Sequence, residues 1–356
     1  VGIRKFFNGP ESYTPDGKYV LGKVPGLHNY FVAGGFNSTG IQSGPGAGKA
    51  LADWIIQGSA PMDLVDVDVA RFGAFQSNHE YLLERVPETL TQFYQMHWPY
   101  KQRTQGRNLR RSPFHGHWVA ARAKFGESAG WERPQWFAPE GTTPCENEAF
   151  GAAPWVAQWE REHLALRNDL GLLDLSPFAK FQVEGAQALQ VLQRLSTNDI
   201  DRPVGSVIYT QWLNEAAGIE ADLTIARLGA QQFLVVTGAG SADRDCSWLQ
   251  SHIPQDAHVT VTDITAGQAV LGIMGPRARD FLQAFTATDL SDVAFPFGTS
   301  QWLDLGRVSV RAQRLTYQGE LWWEIFVSTE FAASLLEDLM AGDRAAPPVL
   351  VGFRAA

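Results

Sequence analysis

The chain has 356 residues, 45% of them apolar and 19% charged, with a net charge of −9. That length accommodates two or three domains, and the acidic balance argues against a nucleic-acid partner, which needs a basic face to meet phosphates. No run of about 18 apolar residues exists, so no membrane span is expected. No charged-then-apolar-then-small pattern marks a signal peptide at the N-terminus. Cys145 and Cys246 lie far apart and make no disulfide framework, so a reducing compartment is expected.

Tyr30 to Ala33 is a short β-prone run ending at Gly34-Gly35. Ala47 to Gln57 is predicted helical, because Ala47, Leu51, Trp54 and Ile55 fall at i, i+4, i+7 and i+8 on one apolar face. Gly58 stands where a left-handed C-terminal cap is expected. Strand, glycine loop and helix together let backbone approach a ligand, since glycine has no Cβ. Leu64 to Phe72 alternates and reads as the exit from a first domain. Two helices are predicted next, Asn78–Val86 and Pro87–Tyr94, with Pro87 as the first residue of the second. Arg103, Arg107, Arg110 and Arg111 read as a solvated or interdomain loop, and Trp131 to Phe137 is aromatic. Pro139 to Pro154 has turn chemistry throughout and is read as a linker.

Beyond Trp155 an α+β region with a largely antiparallel sheet is expected. Trp155, Trp159, His163 and Leu166 share one helical face, and Gly171 stops that helix. Lys180–Val183 is a strand and Ala186–Leu195 a helix. Ser206–Leu213, Ile219–Arg227, Phe233–Thr237, Val270–Ile273, Val308–Arg314 and Trp322–Val327 are further strands.

Four motifs carry possible chemistry. Gly44-Pro45-Gly46-Ala47-Gly48-Lys49-Ala50 is not a phosphate loop: Ser43 stands where the first glycine is needed, and Ala50 supplies no hydroxyl for magnesium. His115-Gly116-His117 would share a face if it were a strand, but no further ligand at metal spacing completes a site, so no metal is expected. In Gly218-Ile219-Glu220-Ala221-Asp222-Leu223-Thr224, the residues Ile219, Ala221, Leu223 and Ile225 make the apolar face and Asp222 looks the other way. A solvent-facing strand and a functional acid both fit it. Tyr317, Glu320 and Glu324 cluster before a strand, which suits either a solvated hairpin or recognition of a ring with several donors.

Several longer runs carry a resemblance. They are Asn8-Gly9-Pro10-Glu11-Ser12-Tyr13-Thr14-Pro15-Asp16-Gly17, Gly22 to Leu27, Ala33 to Ile41, Gly106 to Pro113, Gly130 to Pro134, Asp174 to Phe181, Ser196 to Asp199, Gly275 to Ala278 and Tyr317 to Glu324. In this order they resemble the sarcosine and dimethylglycine dehydrogenase family. The resemblance implies an α+β multidomain chain. Residues 1–75 would be the C-terminal piece of an FAD-binding α/β oxidoreductase domain, 76–154 a connecting domain, and 155–356 an incomplete T-protein-like folate-binding domain. On this reading the chain is a fragment truncated at both ends, with the dinucleotide fingerprint and any flavin-attachment histidine lying before Val1.

The activity implied is oxidative demethylation of sarcosine or dimethylglycine, with FAD and tetrahydrofolate as cofactors and 5,10-methylenetetrahydrofolate as product. Enclosure would keep the reactive iminium from hydrolysing to formaldehyde. Gly35, Phe36, Asn37, Ser38, Thr39, Gly40 and Ile41 would lie against FAD, where backbone N–H groups stabilise charge on the reduced ring. Asp222 maps onto the catalytic carboxylate beside the folate nitrogens. Folate contacts map onto Asp222, Leu223, Thr224, Tyr317, Glu324, Ile325 and Phe326. Trp322 replaces a glycine of the family and would reshape the folate pocket or pack on Trp323. The implied partners are a methylated amine, tetrahydrofolate and an electron-transfer acceptor protein, in a bacterial cytoplasm or a mitochondrial matrix. Two alternatives are a non-catalytic regulatory module like that of pyruvate dehydrogenase phosphatase, and an aminomethyl transferase working without flavin.

Overall fold

Glycines set the first elements of the chain. A computed structural model describes residues 2–144, 150–151, 153, 155–342 and 347–356, and in it Gly22 takes φ +119 where a Cβ would lie 2.7 Å from the Trp54 ring. That close approach lets the hairpin of β1 (Val20–Lys23) and β2 (Phe31–Gly34) pack on helix α1 (Gly40–Gln57). The helix starts at Gly40 rather than Ala47 and carries Pro45 inside it. Its buried stripe is Ala47, Ala50 and Trp54, while Ile55 is 53% exposed, so the predicted face is rotated. Gly58 caps it in the left-handed conformation, its N–H donating to Trp54 O at 2.8 Å.

One helix, α2 (His79–Phe93), replaces the two predicted around Pro87. Proline removes one N–H, which frees the carbonyl of Leu83. Leu83 is 56% exposed, so the freed carbonyl belongs to the solvent-facing side of the helix, and the helix runs on. Residues 64–72 form no strand; Asp68 caps a single 3-10 turn, Val69–Arg71. These elements belong to a compact unit of residues 1–97 with 103–106. Arg103 ties its ends together, donating to Thr89 Oγ1 at 2.6 Å and Asp16 O at 2.9 Å.

The second unit, residues 98–102 with 107–356, is built on two sheets. It opens with helix α3 (His115–Ala120) and the hairpin β3 (Ala123–Ser128) and β4 (Trp131–Phe137). His115 and His117 therefore sit on a helix, not a strand, and diverge: His115 stacks on Phe125 and His117 meets Glu337. Among the described residues no group of three or more His, Cys, Asp or Glu could hold a metal. Arg107 is paired with buried Glu132, and Arg110 lies 4.4 Å over Trp131, so this part of the basic run is structural and not solvated.

Helix α4 (Val156–Asn168) precedes β5 (Gly171–Asp174), β6 (Ala179–Glu184), α5 (Ala188–Leu195), β7 (Val207–Leu213), β8 (Ile219–Gly229), β9 (Gln232–Thr237), α6 (Ala242–Ser251) and β10 (Thr260–Asp263). Then come β11 (Gln268–Met274), α7 (Ala278–Gln283), β12 (Thr299–Leu305), β13 (Val308–Arg314), β14 (Trp322–Ser328), α8 (Thr329–Gly342) and β15 (Val349–Val351). One sheet has the order β10-β6-β9-β8-β7; the other has β12-β13-β14-β11-β5-β15 and is antiparallel except for β15 on β5. Three apolar layers follow from period-two alternation. Ala221, Leu223 and Ile225 of β8 pack with α5 and α6. Trp323, Ile325 and Val327 of β14 pack with α7 and α8. Ala226, Leu234, Trp322 and Phe326 meet between the sheets.

Trp155 and Leu166 are buried as predicted, but Trp159 is 36% exposed and His163 is exposed, and between them Gln158 and Glu162 turn inward instead. Glu162 is fully buried and accepts N–H bonds from Phe137 at 2.7 Å and Gly352 at 2.9 Å. Burial pushes its pKa from 4.5 up to about 7. A raised acid stabilises the fold below 4.5 and loses that contribution as pH rises through 7, on the order of 3 kcal/mol at about 1.4 kcal/mol per unit. Glu162→Gln is thus expected to flatten the fall in urea-denaturation stability between pH 5 and pH 8, and an unchanged slope would refute the assignment.

Cys145 and part of the predicted linker lie outside the described residues. Cys246 is a free thiol that burial pushes up to about 11. No helix among the described residues is long and apolar enough to cross a membrane.

Candidate functional site

On β8, Asp222 and Thr224 project from the face opposite Leu223, the face on which Ala226 reaches the layer between the sheets. On β14, Trp322, Glu324 and Phe326 project from the face turned to that same layer. The two sheets therefore aim Asp222 and Glu324 at one space from opposite sides. Asp222 stays exposed near its edge, whereas Glu324 is partly buried.

Two tyrosines join them. Tyr209, directly opposite Thr224 on β7, donates its hydroxyl to Asp222 Oδ2 at 2.9 Å. That bond raises the Tyr209 pKa above its ordinary value. Tyr317, in the loop before β14, lies with its ring 6.3 Å from that of Trp322. Tyr317 is 75% exposed, and its pKa is raised by desolvation and by the charges of Asp222 and Glu324. Glu320 is drawn aside into an ion pair with Arg167 at 3.0 Å.

Burial pushes Glu324 up to about 7, opposed by the charge of Lys180. Lys180 is itself fully buried and lowered to about 8, its Nζ donating to Ser176 O and Phe178 O. The run Asp174 to Phe181 is the frame for that lysine. Asp174 accepts from Ser112 and from Trp118 Nε1 at 2.8 Å, and Ser176 N–H closes on it at 3.0 Å.

Of the residues assigned to folate, Thr224, Glu324 and Phe326 project towards the space between the sheets, Asp222 stands exposed on that same face of β8, and Tyr317, 75% exposed, lies in the loop before β14. Leu223 and Ile325 do not join them, because alternation sends both side chains to the helix layers and leaves only their main chain beside the cleft. Trp322 packs between the sheets and Trp323 on the far side of β14 against Phe295, so the two indoles do not pack on each other. Tyr209 escaped the sequence reading; its i−13 offset from Asp222 carries no periodic signal, and only the β7–β8 pairing reveals it.

In the first unit, Gly35 to Ile41 forms the turn between β2 and α1. A Cβ on Gly35, at φ +60, would lie 2.6 Å from Thr14 Cγ2. Asn37 is buried in the left-handed region at φ 49, accepting from Thr14 N–H at 2.9 Å and donating to Gly35 O at 2.7 Å. Ser38, at φ 64, bonds Glu11 and Tyr13. Phe36 stacks on Tyr19, Thr39 donates to Phe36 O without capping α1, and Gly40 opens the helix beside fully exposed Ile41. The turn thus presents an uncapped helix start on a backbone held rigid by Asn37.

The GCVT N-terminal domain model matches residues 114–356, and the FAD dependent oxidoreductase central domain model matches 57–112. The chain belongs to the sarcosine and dimethylglycine dehydrogenase family. It is 40% identical over 355 residues to 4-methylaminobutanoate oxidase (formaldehyde-forming) of Paenarthrobacter nicotinovorans, covering 100% of this chain and 43% of that protein. Against the mitochondrial pyruvate dehydrogenase phosphatase regulatory subunit of Mus musculus the identity is 32%, over 95% of this chain and 39% of that one. Sarcosine dehydrogenase of Mus musculus is 33% identical, over 100% of this chain and 43% of its own length. The chain therefore spans less than half the length of these three relatives. The solved glycine cleavage system aminomethyltransferase T from Bartonella henselae superposes with a TM-score of 0.56 at 26% identity, covering 70% of this chain and 61% of that one.

Proposed function

We propose that the chain carries the one-carbon acceptor half of an FAD- and tetrahydrofolate-dependent oxidative demethylase of N-methylated amino acids. The observation that supports this best is the convergence of Asp222, Tyr209, Tyr317 and Glu324 on one cleft between the two sheets. Sarcosine and dimethylglycine are the proposed substrates; 4-methylaminobutanoate, named for a relative, extends the class to a longer carboxylate.

Glu324 offers acceptors to the N–H groups of a pterin, as an ionised acid can. Tyr317 borders the ring from the loop above. Asp222 stands where a carboxylate stabilises a cationic one-carbon unit and takes a proton from the attacking nitrogen. Tyr209, donating to Asp222 Oδ2, holds that carboxylate in position and leaves Oδ1 to act.

The Gly35 to Ile41 turn fits an electron-rich ring edge: the leading N–H groups of α1 carry no side-chain cap, and the helix dipole adds to them. FAD bound there would accept hydride from the N-methyl group. An electron-transfer protein would then reoxidise it.

Titration of the chain with tetrahydrofolate tests the folate part. Saturable binding is expected; its absence would favour the regulatory reading, for which the 32% identity to the phosphatase subunit speaks. Asp222→Asn is expected to keep folate affinity within about threefold while slowing one-carbon transfer about 10²–10⁴-fold, followed as methylenetetrahydrofolate formed against formaldehyde released. Equal transfer rates in the two proteins would remove Asp222 from the mechanism.

A further inference from the structure

Glu324 has two cross-strand neighbours on its own face. On β11 the residue opposite is Gly272, where a Cβ would lie 3.0 Å from the Leu175 and Met274 side chains; on β13 it is Gln313. Gln313 is fully buried, yet neither its Oε1 nor its Nε2 has a hydrogen-bond partner among the described residues. Two places along β14, Trp322 is 3% exposed and its Nε1 is likewise without a partner. Burial of a carboxamide with no partner is destabilising, and native chains rarely keep one without a reason. An apolar residue such as the neighbouring Val310 and Ala312 would serve packing better.

Directly opposite residues in an antiparallel pair have Cβ atoms about 5 Å apart, so a ring that reaches Glu324 is also within reach of Gln313. The chemistry is complementary. A carboxylate only accepts, whereas a carboxamide accepts through Oε1 and donates through Nε2. Side by side they suit a planar heterocycle whose edge carries N–H groups next to a carbonyl, with the indole N–H of Trp322 as a further donor.

We propose that Gln313 is a ligand-reading residue of the cleft, pairing with the adjacent carbonyl and N–H of the ring whose other N–H groups Glu324 accepts. This rests on the folate reading above. It assigns Gln313 to binding and not to the fold, which makes the two roles separable by measurement.

The test is the full chain with Gln313→Met, close to glutamine in shape but apolar, and Gln313→Asn, which withdraws the amide by one methylene. Each is titrated with 5-formyltetrahydrofolate by calorimetry and melted without ligand. The expected result is at least tenfold weaker binding in both variants, with the melting temperature of Gln313→Met equal to or above that of the unaltered chain. Binding within twofold of the unaltered chain overturns the role of Gln313 and leaves the folate reading standing. A fall in melting temperature, or failure of Gln313→Met to fold, also overturns it, because the amide then serves the fold. No saturable binding by the unaltered chain overturns the folate reading and this inference together.

Discussion

Glu324→Gln is expected to weaken tetrahydrofolate binding about 10–100-fold, the loss of hydrogen bonds to a charged group being worth roughly 1.5–3 kcal/mol. The same substitution is expected to stabilise the ligand-free chain. The two effects have one origin: Glu324 is held in a low-polarity layer that pushes its pKa up to about 7. A carboxyl raised above 4.5 supports folding below that pH and loses this support as pH rises through 7, whereas glutamine carries no proton equilibrium. The stability gain should therefore be seen at pH 8 and shrink towards pH 5. Binding should move the other way, because ring N–H donors need the ionised acid. Affinity of the unaltered chain should rise as pH goes from 6 to 8, and that of the variant should stay flat. The groups that face Glu324 and share in its titration are Lys180 from β6 and Tyr317 from the preceding loop. Unchanged affinity in the variant would exclude Glu324 from the site.

Glu132→Ala is expected to cost about 3–5 kcal/mol, the usual result of leaving a buried charge without its partner. Glu132 is 3% exposed and accepts from Arg107 Nε at 2.8 Å and from Asn108 N–H at 2.7 Å. Burial alone would raise its pKa; the guanidinium and the backbone donor hold it below the ordinary value. The pair bends residues 107–108 against β4, and Asn108 takes φ 65 there. Removing both charges, as Arg107→Leu with Glu132→Leu, should lose far less than Glu132→Ala alone, since no charge is then left buried. Urea-unfolding midpoints of the two singles and the double decide it. A loss below about 1 kcal/mol in Glu132→Ala would show that water reaches Arg107.

Both outcomes depend on burial that a linear pattern reports only indirectly. The alternation of β8 was legible because apolar residues at 221, 223 and 225 recur with period two, and that alone turns Asp222 to the opposite face. β9, β11 and β14 were legible instead as short apolar runs, and they are buried on both faces. Helix ends around proline were not: a proline in the interior is tolerated where the freed carbonyl meets water, and exposure of Leu83 is a tertiary fact. Nor was the inward face of α4, because a buried Glu162 that bonds two main-chain N–H groups looks polar in sequence.

The candidate site divides in the same way. Residue identities and order determined the family, the α+β class and the turn from Gly35 to Ile41, and they singled out Asp222, Tyr317 and Glu324 as the candidates proposed for folate. Only the tertiary structure decided that Tyr209 bonds Asp222, that Trp322 and Trp323 part to opposite faces, that Leu223 and Ile325 turn away, and that Gln313 stands unpartnered beside Glu324. The reason is physical. Periodicity specifies which way a side chain leaves its own strand, whereas strand order and register specify what it meets, and those are set by long-range pairing that no local pattern encodes.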